Sequence, residues 1–233
     1  KLTSTRWLSM CNPSKSMRIG QVISIGPSHN STATVIGYGR DNSERIIEFD
    51  TQISINDVAD LALPPYIKRT LSNPDRYQTV YAEHPGSIAA PTAGLHFTNE
   101  LLNTLMSRGV EIVKVTLHVN KGTFVPIKTA DPRDHKLHSE YCSITKDAAN
   151  TLNKALSEGR RIVAVGTTSV RTLEQAPIES QTLDQGIQIQ ACSRMTNLYI
   201  LPGFDFRVIS GLVTNFHLPK SSLLMLVSAF AGN

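Results

Sequence analysis

The sequence predicts an α/β protein: a larger layered α/β domain with a mostly parallel sheet, beside a small antiparallel β-barrel-like domain. Three observations predict it. β-rich runs crowd into residues 18–50, strands and helices alternate from about residue 76 onward, and a proline-stiffened connector, Leu63-Pro-Pro-Tyr-Ile-Lys-Arg69, separates the two patterns. The boundaries that follow are residues 1–60 for the small domain and 61–233 for the α/β domain, where catalysis is expected.

In the first part, Arg18-Ile-Gly-Gln-Val-Ile-Ser-Ile-Gly26 alternates as a half-buried strand does and ends on glycine. Ala33-Thr-Val-Ile-Gly-Tyr follows a Pro-Ser-His-Asn-Ser turn cluster, and Glu44-Arg-Ile-Ile-Glu-Phe follows Arg40-Asp-Asn-Ser. After the Asn73-Pro-Asp-Arg76 turn, Thr98 is placed to cap a helix that carries Leu101, Leu102, Leu105 and Met106 on one face and stops at Gly109. Val110 to Val119 is β-branched and reads as a strand. Thr145 opens a second helix running toward Gly159, Arg161-Ile-Val-Ala-Val-Gly166 reads as a buried strand, and a third helix starts near Thr168. Thr196 to Leu201 and Phe206 to Phe216 supply further strands, and Ser221 caps a last helix. Gln175 to Gln190 is polar and unperiodic, a mobile loop by composition.

With 233 residues, 40% hydrophobic and 18% charged, the chain has the make-up of a globular protein with a real core. The longest apolar candidate, Leu223 to Ala231, is too short to span a bilayer, and Lys1 to Met10 lacks the apolar core of a secretory signal. Cys11, Cys142 and Cys192 form no CxxC pair, which argues against a zinc knuckle or disulfide framework and fits a reducing cytoplasm. The net charge of +4 is uneven: residues 1–40 hold Lys1, Arg6, Lys15, Arg18 and Arg40 with no Asp or Glu, leaving 18 basic against 19 acidic residues beyond them. That end would attract a phosphate backbone, although a solvated surface without a partner explains it equally well.

Four segments carry candidate chemistry. In Arg161-Ile-Val-Ala-Val-Gly-Thr-Thr-Ser-Val-Arg-Thr-Leu-Glu174 a strand runs through glycine into Thr167, Thr168 and Ser169 at a helix start, with Arg171 one turn on. Exposed N–H groups, hydroxyls and a guanidinium suit a carboxylate or phosphate; simple capping accounts for one hydroxyl, not three with an Arg. His84-Pro-Gly-Ser-Ile-Ala-Ala-Pro-Thr-Ala-Gly-Leu-His-Phe97 sets small residues around two prolines and brings Thr92 and His96 up to a helix. A histidine there can act as a base, but a lone histidine is more often structural. Asp134-His-Lys-Leu-His-Ser-Glu-Tyr141 offers His135, His138 and Glu140, at a spacing that matches no strong zinc motif. In Leu212-Val-Thr-Asn-Phe-His-Leu-Pro-Lys-Ser-Ser222, Asn215 and His217 lie at a strand end, with Lys220 before a helix cap. Lys121-Gly122-Thr123 lacks the spaced glycine of a P-loop, and Gly-x-Ser-x-Gly and GxGxxG patterns are absent from the sequence.

Read in order, Arg76-Tyr-Gln-Thr-Val-Tyr81, Ala90-Pro-Thr-Ala-Gly-Leu-His-Phe-Thr98, Val115-Thr-Leu-His-Val119 with Gly122-Thr-Phe124, and His138-Ser-Glu-Tyr141 are joined by Ala164-Val-Gly-Thr-Thr-Ser-Val-Arg171 and Thr214-Asn-Phe-His-Leu-Pro-Lys-Ser221. Together with the connector and Ser228-Ala-Phe-Ala-Gly232 they resemble the S-adenosylmethionine:tRNA ribosyltransferase-isomerase family of queuosine biosynthesis, over nearly everything from residue 61 onward. The resemblance implies transfer of the ribosyl part of S-adenosylmethionine to 7-aminomethyl-7-deazaguanine at the tRNA wobble position. The sugar rearranges to an epoxycyclopentane, giving epoxyqueuosine with release of adenine and methionine. It implies S-adenosylmethionine as co-substrate with no true cofactor and no metal, and that tRNA as partner. The expected setting is a monomer in the cytoplasm, away from membranes.

Under that resemblance the carbon beside the sulfonium gives a proton to His96 or His217, and departing adenine receives one from the same class of residue. Thr167, Thr168 and Arg171, with Ser169 beside them, hold the methionine carboxylate or a tRNA phosphate. Glu140 pairs with the methionine ammonium or orients a histidine, and Thr92, His138, Asn215 and Lys220 complete the substrate-binding set. The chain departs from the family at Asn120-Lys121, where Gly-Leu is common; Asn tolerates a left-handed backbone, while Lys121 adds a charge. Family sequences extend beyond the regions matching Trp7 and Gly232, so both domains are expected to be incomplete at their outer ends. Two other classes stay open here: a non-catalytic relative that holds RNA or an adenosyl ligand, and a metal hydrolase on His135, His138 and Glu140.

Overall fold

The computed structural model describes residues 2–11, 13–25, 31–39, 43–53, 73–120, 127, 129–135, 137–179 and 186–232. The connector at 63–69, turn residues 27–30 and 40–42, and residues 121–124 lie outside the described residues. The chain divides into two compact units, Lys1–Leu61 and Ala62–Asn233.

The first unit holds β1 (Arg6–Met10), β2 (Val22–Ile25), β3 (Ser31–Tyr38) and β4 (Glu44–Phe49). They pair antiparallel in the order β1-β4-β3-β2, with β1 and β2 as the edges among the described residues. Alternation decides which face goes inward: Ala33, Val35, Ile47 and Phe49 are buried together with Ile53, and Trp7 packs edge-on against Phe49 at 6.0 Å. The antiparallel reading agrees with the sequence; the described pairing is an open four-strand order rather than a closed barrel. β1 was not legible in the sequence, because its five residues carry only a short, imperfect alternation. Arg6 of that strand pairs with Glu48 at 2.7 Å, so part of the basic excess is matched within the sheet.

The second unit runs α1 (Asn99–Ser107), β5 (Thr116–His118), β6 (Glu140–Ile144), α2 (Lys146–Ser157), β7 (Val163–Val165) and α3 (Thr167–Glu174). β8 (Pro177–Glu179), β9 (Ile187–Ile189), β10 (Cys192–Thr196), β11 (Gly211–Val213) and α4 (Ser222–Ala231) follow. The α/β class is met, but the mostly parallel sheet is not. β10-β6-β5 is antiparallel, β8 and β9 form an antiparallel hairpin, and β7 with β11 is the one parallel pair among those described. The reason is the placement of the helices. α2 joins β6 to β7, which lie in different sheets, so it is not the crossover that makes two neighbouring strands parallel. The segment read as a mobile loop, residues 175–190, instead begins and ends in the paired strands β8 and β9.

Helix starts follow side-chain caps. Thr98, Thr145 and Ser221 each accept the backbone N–H three residues on, at 3.1, 3.2 and 3.2 Å. α2 buries Ala148, Ala149, Leu152 and Ala155 in a core shared with Ile144, Val170, Leu173, Ile200 and Leu226. α1 buries less than its apolar stripe predicts, since Leu101 and Met106 are exposed. Glu174, buried at the end of α3, accepts the N–H groups of Arg207, Val208 and Ile209 at 2.9, 3.1 and 2.9 Å. This carboxylate ties α3 to the segment leading into β11, and so fixes the parallel pair from which the site is built.

Candidate active site

β7 ends at Val165 beside Val213, the last residue of β11, and the Gly166 N–H donates to the Val213 carbonyl at 2.8 Å. The 166–169 turn and the 214–217 segment therefore leave adjacent parallel strands at the same end, where ligands collect in α/β proteins. Gly166 has φ 87° and ψ 147°, a conformation nearly restricted to glycine. It caps α3 through the backbone, with no side-chain capping bond, so Thr167–Ser169 enter the helix rather than precede it.

The hydroxyls then separate by role. Thr167 is buried, and Ser169 Oγ donates to the Val165 carbonyl at 2.8 Å. Thr168 and Ser169 line a cavity of about 420 Å³ within the second unit. Its walls take Thr116, His118 and Val119 from β5 and its end, Ser143 from β6, and Thr145, Asp147 and Thr151 from the start of α2. Tyr81, Glu83, His84, Ser87 and Pro91 close it from the preceding segment, and Lys114, which is ion-paired with Glu83, lies at its edge. A volume of this size suits a nucleotide-sized ligand, and the lining mixes apolar surface with hydroxyls.

Arg171 is buried and faces Glu140. Its Nη1 donates to Glu140 Oε2 and its Nε to the Leu198 carbonyl at 3.0 Å, while the other Glu140 oxygen accepts the Asn120 N–H at 2.7 Å. The guanidinium and the carboxylate thus pair with each other, and Arg171 Nη2 is buried with no protein hydrogen-bond partner among the described residues. Nor do His135, His138 and Glu140 gather as metal ligands. His135 packs edge-on against Tyr199 at 5.9 Å, His138 is exposed, and no group of three His, Cys, Asp or Glu suited to a metal occurs among the described residues.

The two histidines proposed as bases are not among the described residues that line the cavity. His96 is exposed at the end of the short 3-10 helix Thr92–His96; Thr92 is half-buried, next to the cavity-lining Pro91. His217 is half-buried and shares a 2.9 Å hydrogen bond with Thr214 Oγ1, and burial pushes its imidazole below the usual range. Asn215 Oδ1 is buried without a protein partner, and Lys220 is exposed with φ 59°. The sequence reading thus brought Thr168 and Ser169 to the cavity and left His118, Tyr81 and Asp147 unassigned. A signal for His118 was present: strand alternation puts Thr116 and His118 on one face of an otherwise apolar run.

A family model described as queuosine biosynthesis protein matches residues 1–233. The S-adenosylmethionine:tRNA ribosyltransferase-isomerase of Carboxydothermus hydrogenoformans is 47% identical over 236 residues, covering 100% of this chain and 67% of that protein. The protein of the same name from Finegoldia magna is 45% identical over 233 residues, 98% of this chain and 65% of the other. The crystal structure of an S-adenosylmethionine tRNA ribosyltransferase from Thermotoga maritima is 31% identical, with TM-score 0.43, covering 100% of this chain and 62% of that one. The chain thus spans about two thirds of the length of the curated relatives it matches. With the family model matched from the first residue to the last, this chain belongs to the queuosine biosynthesis protein family.

Proposed function

We propose that this chain carries out ribosyl transfer and isomerisation: the ribosyl part of S-adenosylmethionine moves onto 7-aminomethyl-7-deazaguanine at the tRNA wobble position and rearranges, giving epoxyqueuosine, adenine and methionine. The observation that supports it most is the Gly166 turn, which presents Thr168 and Ser169 at the positive start of α3 to a cavity of about 420 Å³. Residues 61–233 act as the catalytic domain, and residues 1–60, which carry exposed Lys15 and Arg18, meet tRNA phosphates. The chain works in the cytoplasm as a monomer, with S-adenosylmethionine consumed as co-substrate and no further cofactor.

Within this reading Thr168 and Ser169 bind the methionine or sugar part of S-adenosylmethionine, with Thr167 shaping the turn beneath them. Arg171 Nη2 reaches the methionine carboxylate while Glu140 holds the guanidinium in place. His217, kept unprotonated near neutral pH by burial, takes the proton from the carbon beside the sulfonium, with His96 as the other candidate. Thr92, His138, Asn215 and Lys220 orient the RNA side. The test is adenine release from S-adenosylmethionine in the presence of precursor tRNA. His217→Ala is expected to slow it by about 100-fold or more, the usual scale for a positioned base. If His96→Ala and His217→Ala both turn over at the parent rate, the base assignment is wrong; if the parent releases no adenine, the function is wrong.

A further inference from the structure

Breaking the bond from sugar to adenine requires a second proton transfer, and no residue so far assigned supplies it from within the cavity. His118 stands there. It sits at the end of β5, lines the cavity, and its Nε2 is buried with no protein hydrogen-bond partner. A buried imidazole nitrogen left unpaired costs stability unless a ligand meets it, so the site is one the fold maintains at a cost. Two contacts fix the ring. One face lies against Tyr141, with ring centroids 5.2 Å apart and planes tilted by 39°. The Nδ1–Cε1 edge lies against Gly86, where any side chain would be too close: a Cβ built there falls 2.7 Å from both ring atoms. Gly86 also has φ 140°, so the backbone gives up ordinary geometry to pass this close to the imidazole. The ring is thus held between a strand neighbour and a glycine, with Nε2 the polar atom left over.

We propose that His118 is the general acid for adenine departure, an assignment that rests on the ribosyl-transfer reading above. As the bond between the sugar carbon and the adenine nitrogen breaks, its electron pair goes to adenine, and the proton on His118 Nε2 passes to that base. Imidazolium becomes neutral imidazole and adenine leaves uncharged; solvent returns the proton to His118 afterwards. The charged and titratable groups that share the cavity are Tyr81, Glu83, His84, Lys114 and Asp147, with Tyr141 behind the ring. Of these, Glu83 and Lys114 pair with each other.

The test compares parent and His118→Gln on two co-substrates with precursor tRNA: S-adenosylmethionine, and its inosine analogue, whose more acidic hypoxanthine departs with less need of a proton. Gln keeps an N–H donor but has no proton to give up. The expected result is a fall in kcat of about 100-fold for adenine release, a fall of less than about 10-fold for hypoxanthine release, and S-adenosylmethionine binding within about 3-fold of parent. A second variant, His118→Asn, is expected to show the same split, which guards against a fold defect peculiar to one side chain. Equal losses on both leaving bases overturn the assignment, because a purely structural role would not distinguish them. Parent-level release by both variants overturns it too, while leaving the ribosyl-transfer reading intact. A parent that releases neither base overturns that reading and this assignment with it.

Discussion

His217 links burial to protonation at the level of one side chain. Its imidazole is half-buried, bonded to Thr214 Oγ1, and desolvation lowers its pKa from the ordinary value of about 6.5. Below that value the unfolded chain takes up a proton that the folded chain resists. The stability linked to this group is therefore full above about pH 6.5 and is lost as pH falls through the lower folded value. The unfolding midpoint in urea should drop between pH 7 and pH 5 in the parent, and drop less in His217→Gln. Identical pH slopes for the two proteins would show that the imidazole is not desolvated. Little of this was visible beforehand: the sequence marked residue 217 as a polar group at a strand end, and its half-burial shows only in the folded chain.

At the scale of elements, helix starts were legible and strand partners were not. Thr98, Thr145 and Ser221 declare themselves locally, because a cap is a bond between a side chain and the backbone three residues away. Strand direction depends on which segments meet, and alternation of strands and helices gave the wrong answer for the larger unit, where β10-β6-β5 runs antiparallel. The cavity was half legible for the same reason: Thr168 and Ser169 belong to a local turn, whereas His118 becomes relevant only once β5 lies beside β6. Thr145 shows both sides, since it caps α2 and also lines the cavity. Thr145→Ala should lower the unfolding free energy by about 1 kcal/mol, and Thr145→Ser by less than about 0.5 kcal/mol. Urea denaturation measures both, and a Thr145→Ala protein as stable as the parent would refute the cap.

Taken whole, the molecule has two units, each with its own buried apolar cluster. Every described residue lining the cavity falls between Gln78 and Ser169, inside the second unit. A protein comprising residues 62–233 alone is therefore expected to bind S-adenosylmethionine within about 5-fold of the full chain by titration calorimetry, since it keeps every described wall of the pocket. Loss of binding in a fragment that still unfolds cooperatively would mean that the pocket depends on residues 1–61. Transfer RNA should behave differently, with affinity falling in the fragment if Lys15 and Arg18 meet phosphates, and with a shallower dependence on salt.

The Glu140–Arg171 pair has a consequence for how such a protein can change over generations. With both charges out of water, loss of either one removes the counter-charge the other faces, at a cost of about 3–5 kcal/mol, whereas replacing both by apolar residues of matching volume is nearly neutral for folding. Stepwise drift at either position passes through a crippled intermediate. The two positions are locked as a couple, and a descendant that escapes one must abandon the other at nearly the same moment.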